Sequence, residues 1–290
     1  LIDNIPNRQD FTPILLNASR FELKELKDEG LVLQKLELTY NSKTDCKLYQ
    51  LVFEYGGICI TKIDYLIKFE DFIHMVHKFY NGIKSLHQHN IIHRDIKPLN
   101  ILIENNNLKI IDFGISCNVS NVFSKEEDYI LSYMYMYNPP EFYILHLLYE
   151  ELKFNDFMTA LDKIAKIMCN YTDKLENYYY DHYYKYNLNE PYNIFSYKKA
   201  FIDFFNIIQK QNINKIEDIF TNDIAFKSDI YSSSFILKHL RKHIIFDNIT
   251  QRTFFNDLYD MTYALNVFER ADINHIIEFI ENNFRLNNIE

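Results

Sequence analysis

The feature that most constrains this chain lies between residues 70 and 112, where three folding signals follow one another. From Glu70 to Asn90, the residues Phe72, Ile73, Val76, Phe79, Tyr80, Ile83, Leu86 and His87 recur at i, i+3, i+4 spacing. That spacing predicts a helix with one buried face. Two short apolar runs come next, Asn100–Glu104 and Leu108–Ile111, joined by Asn105-Asn106-Asn107. Asparagine tolerates the backbone of a tight turn, so the two runs read as a hairpin. Between helix and hairpin lies IIHRDIKPLNIL, residues 91–102, with an acid, a lysine and an asparagine at fixed offsets among apolar neighbours. The hairpin brings Asn100, at its start, and Asp112, just past its end, to one side of a cleft.

Those residue types suit phosphoryl transfer. The reaction asks little covalent chemistry of a protein; it needs metal-held phosphates, an oriented hydroxyl and neutralised charge on the migrating group. Asp95 can accept a proton from a hydroxyl, and Lys97, two residues on, can reach a phosphate. Asn100 offers an uncharged oxygen and Asp112 a carboxylate, the hard donors that Mg²⁺ prefers.

The totals fit such an enzyme better than the alternatives. A chain of 290 residues, 48% hydrophobic, can bury the core of one large domain or of two lobes sharing a cleft. The formal net charge of −9 disfavours nucleic acid as a partner. No apolar run approaches the ~20 residues of a membrane helix, so no membrane partner is expected. Four cysteines (Cys46, Cys59, Cys117, Cys169) without a C-x-x-C pair suit free thiols in a reducing, cytoplasmic compartment. His74, His77, His87 and His89 read as core or surface residues of the helix region, because no carboxylate motif accompanies them. His239 and His243 are spaced i, i+4 but lack the glutamate of a zinc motif. The opening Leu1-Ile2-Asp3 has neither an initiator Met nor a secretory pattern, and we expect a fragment or processed product.

HRDIKPLN at 93–100 and DFG at 112–114 resemble the catalytic and metal-binding loops of eukaryotic-type protein kinases. PPE at 139–141 is similar to that family's A-P-E. KSDIYS at 227–232 resembles the buried helix whose Asp supports the catalytic loop. Arg270 matches the arginine that pairs with the A-P-E glutamate, here Glu141. LVFEYGG at 51–57 resembles the strand that runs into the adenine-binding hinge. The likeness spans roughly residues 20–285.

The resemblance implies an α+β, two-lobe fold with a truncated, strand-bearing N-lobe over 1–55 and a helical C-lobe over 56–290. It implies ATP and Mg²⁺ as cofactors and a protein substrate. Asp95 would be the catalytic base and Lys97 the γ-phosphate contact, with Asn100 and Asp112 holding Mg²⁺. Arg94 would brace the activation segment, and His93 would pack with Phe113, which Gly114 follows. Glu54 and Gly56 would offer backbone groups to adenine, with Phe53 behind it and Leu102 beneath. Asp229 would support the catalytic loop. Lys97 argues for Ser/Thr specificity, since choline-kinase-like sites lack that lysine and tyrosine kinases carry a different tetrapeptide. The Asn-, Ile- and Tyr-rich build looks like the kinase-like proteins of large DNA viruses, which would place it in host cytoplasm.

The chain departs from the pattern elsewhere. Its five glycines are Gly30, Gly56, Gly57, Gly82 and Gly114, so no G-x-G-x-x-G precedes Gly30. The first lysine is Lys24, inside a helix predicted over FELKELKDE, and Arg8 is a poor substitute for a clamp lysine. Among Glu22, Glu25 and Glu29, Glu22 is the favoured helix glutamate, because its i+4 neighbour is Leu26. Strands are expected at Leu31–Tyr40 and Cys46–Tyr55, and helices at Phe154–Met168, Tyr197–Ile208, Tyr231–Leu240 and Ile273–Ile280. Met134 stands where Ser/Thr kinases usually place a threonine, and an insertion of about 142–226 separates Glu141 from Asp229. Two readings follow: a Ser/Thr kinase whose N-terminal clamp was cut from this chain, or a pseudokinase acting as a scaffold.

Overall fold

The computed structural model describes residues 2, 5–22, 47–121 and 222–284, with positions 137, 139, 141, 142, 145, 156, 159, 199, 202–204, 206, 207 and 210. The expected strand Leu31–Tyr40 lies outside the described residues. So do most of the insertion and of the helix Phe154–Met168. Of Tyr197–Ile208, the described positions 199, 202–204, 206 and 207 are helical.

The long helix forms as its periodicity dictates. α1 (Phe69–Gln88) starts with Glu70 and Asp71 in its first turn, where carboxylates face the positive end of the helix. It ends at His89 and Asn90, the latter in the left-handed region at φ 57°. Phe72, Ile73, Val76, Phe79, Tyr80, Ile83 and Leu86 are all buried. They pack against α2 (Asn222–Leu240), α3 (Ile249–Tyr263) and α4 (Ile273–Phe284). Phe69 meets Phe254 edge-on at 5.9 Å, and Phe72 lies 5.6 Å from Phe255. Each such side chain contributes about 1.5–3 kcal/mol by leaving water.

α2 is built differently. Ile230, Tyr231, Phe235, Ile236, Leu237 and Leu240 are buried, but so are Ser228, Asp229, Ser232, Ser233 and Ser234. The serine hydroxyls donate to carbonyls three or four residues back, as Ser233 does to Ile230 and Ser234 to Tyr231. That satisfies them inside the core. A helix buried all round lacks a polar stripe, which is why sequence periodicity marked only its second half, Tyr231–Leu240.

The hairpin after the polar loop is β6 (Ile101–Glu104) and β7 (Asn107–Ile110), in register Ile101↔Ile110 to Glu104↔Asn107. Asn105 and Asn106 turn it at φ 48° and 60°. β3 (Ile58–Cys59) pairs with β6 and completes a three-stranded sheet. Gly57 permits this approach: its φ is 104°, and a Cβ there would lie 2.1 Å from the Ile103 carbonyl oxygen. β4 (Ile67–Lys68) runs parallel to β9 (Ile244–Ile245), and β5 (Ile91–Ile92) antiparallel to β8 (Cys117–Asn118).

Above this body lies an antiparallel pair, β1 (Leu15–Glu22) and β2 (Lys47–Phe53). β2 is the expected strand, starting at Lys47 and ending at Phe53. β1 corrects the sequence reading. Phe21 and Glu22 are strand residues opposite Leu48 and Lys47, so Glu22 is not a helix glutamate. Their backbone groups belong to the ladder with β2, and that pairing outweighs the local helical spacing. The rest of that predicted helix lies outside the described residues. Ahead of β1, Phe11 packs on Gly82 of α1, where an added Cβ would come within 2.5 Å of the Phe11 Cβ. Arg8 sits in the short 3₁₀ turn Arg8–Asp10 beside this contact, away from β1 and β2 in the chain's path. Among the described residues, no helix is long and apolar enough to cross a membrane.

Candidate active site

β5 ends at Ile92, and the chain turns at once into the polar loop. Arg94 adopts φ 69°, a costly conformation for a non-glycine residue that must be held by its surroundings. Asp229 holds it: Oδ2 accepts from the His93 N–H at 2.8 Å and Oδ1 from the Arg94 N–H at 2.9 Å. His87 of α1 adds a third bond, from Nε2 to Asp229 Oδ2 at 3.2 Å, and stacks on Phe226 at 4.5 Å. Burial pushes the Asp229 carboxyl up, yet these bonds outweigh it and leave its pKa below the ordinary aspartate value.

The held loop presents Asp95, Lys97 and Asn100 as one cluster. Lys97 Nζ donates to Asp95 Oδ2 at 2.8 Å, and Asn100 Nδ2 donates to the same oxygen at 2.8 Å. Asn100 Nδ2 also reaches the Asp95 carbonyl at 3.0 Å. With its amide NH₂ turned inward, Asn100 keeps its side-chain oxygen for another partner. The Ile111 N–H donates to the Asn100 carbonyl at 3.0 Å, which sets the next residue, Asp112, beside the cluster. Asp112 is exposed, at φ 64°. One amide oxygen and one carboxylate, both hard donors, fit a Mg²⁺ ion that takes its remaining ligands from phosphate and water.

His93 and Phe113 meet edge-on at 4.6 Å. Burial keeps His93 below the ordinary histidine pKa, and so neutral near pH 7. Its Nδ1 accepts from the Asp95 N–H at 3.2 Å, and its carbonyl accepts from Ser116 Oγ at 3.1 Å. Arg94 Nη1 donates to the Ile115 carbonyl at 3.2 Å, tying the loop to the segment after Gly114. Farther off, Arg270 grips Glu141 with both terminal nitrogens, at 2.6 and 3.2 Å. Arg270 also lies over Tyr231 at 4.9 Å and donates to the Lys227 carbonyl at 3.0 Å. Both partners of this ion pair are buried.

Residues 34–149 match the family described as the protein kinase domain. The match covers 116 of the 290 residues and supports a place in the protein kinase superfamily, in accord with the kinase-like α+β fold described above. The match takes in the hinge strand, HRDIKPLN, DFG and PPE. Asp229 and Arg270 of the kinase fold lie beyond it in sequence but join it through Arg94 and Glu141.

Glu54 to Gly57, the expected hinge, follow β2 and lead into β3. A Cβ on Gly56 would lie 2.8 Å from Leu102 Cδ1 and 2.7 Å from Pro13 Cγ, so hinge and Leu102 face each other closely. Phe53 is 51% exposed, open to solvent rather than enclosed. Two contacts escaped the sequence. His87 was legible as a core residue, but its bond to Asp229 spans a sequence separation no local pattern reports. Lys109 reads as the polar face of a strand, yet it donates to Glu54 of the hinge at 2.9 Å.

Proposed function

We propose that this kinase domain transfers the γ-phosphate of ATP, with Mg²⁺, to a Ser or Thr hydroxyl of a protein substrate. The observation that carries the reading is the Asp95–Lys97–Asn100 cluster, joined through Asn100 to the residue before Asp112. A bound Mg²⁺ would neutralise phosphate charge, held by Asn100 and Asp112. Asp95 Oδ2 is fixed by two donors, so Oδ1 is the oxygen to receive the hydroxyl proton. As the substrate oxygen bonds to the γ-phosphorus, the bond to the β-phosphate oxygen breaks and ADP leaves. Lys97, beside Asp95, would compensate charge on the migrating group. Glu54 and Gly56 would present backbone groups to adenine over Leu102. A cytoplasmic setting accords with an unbridged thiol at Cys59.

The test is calorimetric titration with ATP, with and without Mg²⁺, beside Asp112→Ala, followed by phosphotransfer to Ser, Thr and Tyr peptides. Mg²⁺-dependent binding that Asp112→Ala abolishes, with phosphate reaching Ser and Thr only, supports the reading. A folded chain that ignores ATP, or a preference for Tyr, overturns it. The second reading is a pseudokinase scaffold, favoured by Met134, which stands where Ser/Thr kinases usually place a threonine. ATP binding without any transfer would favour it.

A further inference from the structure

Lys109 stands on β7, its side chain 11% exposed, between two carboxylates. It donates to Glu54 Oε1 at 2.9 Å and lies 3.5 Å from Glu104 Oε2. Glu104 belongs to the same hairpin, whereas Glu54 belongs to the hinge. The shorter contact is therefore the one that joins two separate parts of the cleft. Lys109 also draws the Glu54 carboxyl below the usual glutamate pKa, chiefly through this hydrogen bond.

The pair closes a ring. The Glu54 N–H donates to the Ile14 carbonyl at 2.9 Å, and the Ile110 N–H donates to the Phe11 carbonyl at 2.7 Å. Residues 11–14 thus hold the hinge at one end and β7 at the other, and Glu54–Lys109 completes the circuit. The next N–H along the chain, that of Ile111 just past β7, donates to the Asn100 carbonyl. The ring is continuous with the backbone that carries Asn100 and Asp112.

We propose that Lys109 is a positioning residue for the purine end of the nucleotide, acting through Glu54 to fix the hinge relative to the hairpin that bears Asn100 and Asp112. The proposal rests on the ATP-binding reading above. The Glu54 N–H is already spent on Ile14, which leaves the Glu54 carbonyl and the Gly56 backbone for a purine edge. Hydrogen bonding to a flat edge needs both in place at once. A hinge that samples other orientations binds in proportion to the time it spends in the competent one.

The experiment titrates the 290-residue chain with Mg²⁺-ATP and, separately, with Mg²⁺-tripolyphosphate, which has no purine. Lys109→Met should weaken ATP binding about three- to tenfold, the scale of a part-buried ion pair, and leave tripolyphosphate unchanged. The exchange Lys109→Glu with Glu54→Lys should recover part of the loss. Unchanged ATP affinity in a folded Lys109→Met overturns the proposal, as does an equal loss for both ligands. Should Lys109→Met fail to fold, Glu54→Gln keeps the shape and must show the same purine-selective loss. A folded wild-type chain that binds neither ligand overturns the ATP-binding reading itself, and the proposal with it.

Discussion

The loop that carries Asp95 and the strand pair β1–β2 are held in different ways. In the loop, the strained residues are tied to the core: Asp229 accepts from two consecutive backbone N–H groups and from His87, and Arg94 reaches Ile115. In the strand pair, Leu16, Leu51, Val52 and Phe53 are exposed, at 38–64%. What fixes Glu54, at the end of β2, is a smaller set of contacts, from Ile14 and Lys109. The lower half of the site is thus preorganised by burial, while the position of the upper half depends on a few polar links. A mutation should damage chemistry or folding in the first region and nucleotide positioning in the second.

The largest effect should come from Asp95→Asn, which keeps the shape but cannot take a proton. In a chain competent for transfer, turnover should fall by about 10²–10⁴-fold with ATP affinity nearly constant. Retained turnover in a peptide-phosphorylation assay would remove Asp95 from its role as base. Next in size is Arg270→Ala, which strands the buried Glu141 charge and should cost roughly 3–5 kcal/mol. Urea denaturation measures it, and a loss below about 1 kcal/mol would show that this core tolerates an unpaired carboxylate.

Gly82→Ala sharpens the comparison at the seam between α1 and the segment leading to the hinge. The new methyl would displace Phe11, at a cost of about 1–3 kcal/mol. Thermal melting should register the loss, and an unaltered midpoint would mean that the seam yields freely. The smallest effect concerns His93. Burial lowers its folded pKa below the 6.5 of an ordinary histidine, so the unfolded chain binds a proton that the fold refuses. Its contribution to stability is complete at pH above about 6.5 and declines as pH falls toward the folded pKa, by at most about 1.4 kcal/mol per unit. Urea midpoints at pH 7.5 and 5.5 should therefore differ less in His93→Phe than in the wild type. Equal differences would remove His93 as a source of acid sensitivity.

Much of the loop region was legible because its signals are local. Seven apolar residues and His87 at helical spacing fixed α1 to within two residues at either end. Asparagines marked the turn, and the short spacing from Asp95 to Asn100 needed no tertiary knowledge. β1 was not legible, because LLNASRFE has no clean alternation and its last residues share a helical spacing with Leu26. Only pairing with β2 makes it a strand. Periodicity missed the first half of α2 for the opposite reason, since its serines and Asp229 leave no polar stripe to one side. Only the likeness of KSDIYS to a buried kinase helix marked it, and these residues do lie in the core with hydrogen bonds.

The sequence by itself determined the helix, the hairpin and the set of groups available for phosphoryl transfer, since each depends on residues a few positions apart. The tertiary structure decided which distant groups restrain them. The likeness to kinases had already paired Arg270 with Glu141 and set Asp229 beneath the loop, but His87 meeting Asp229 and Lys109 meeting Glu54 came only from the fold. Such partners are chosen by how buried surfaces pack, because a charge taken out of water must find its counterpart wherever the fold brings one.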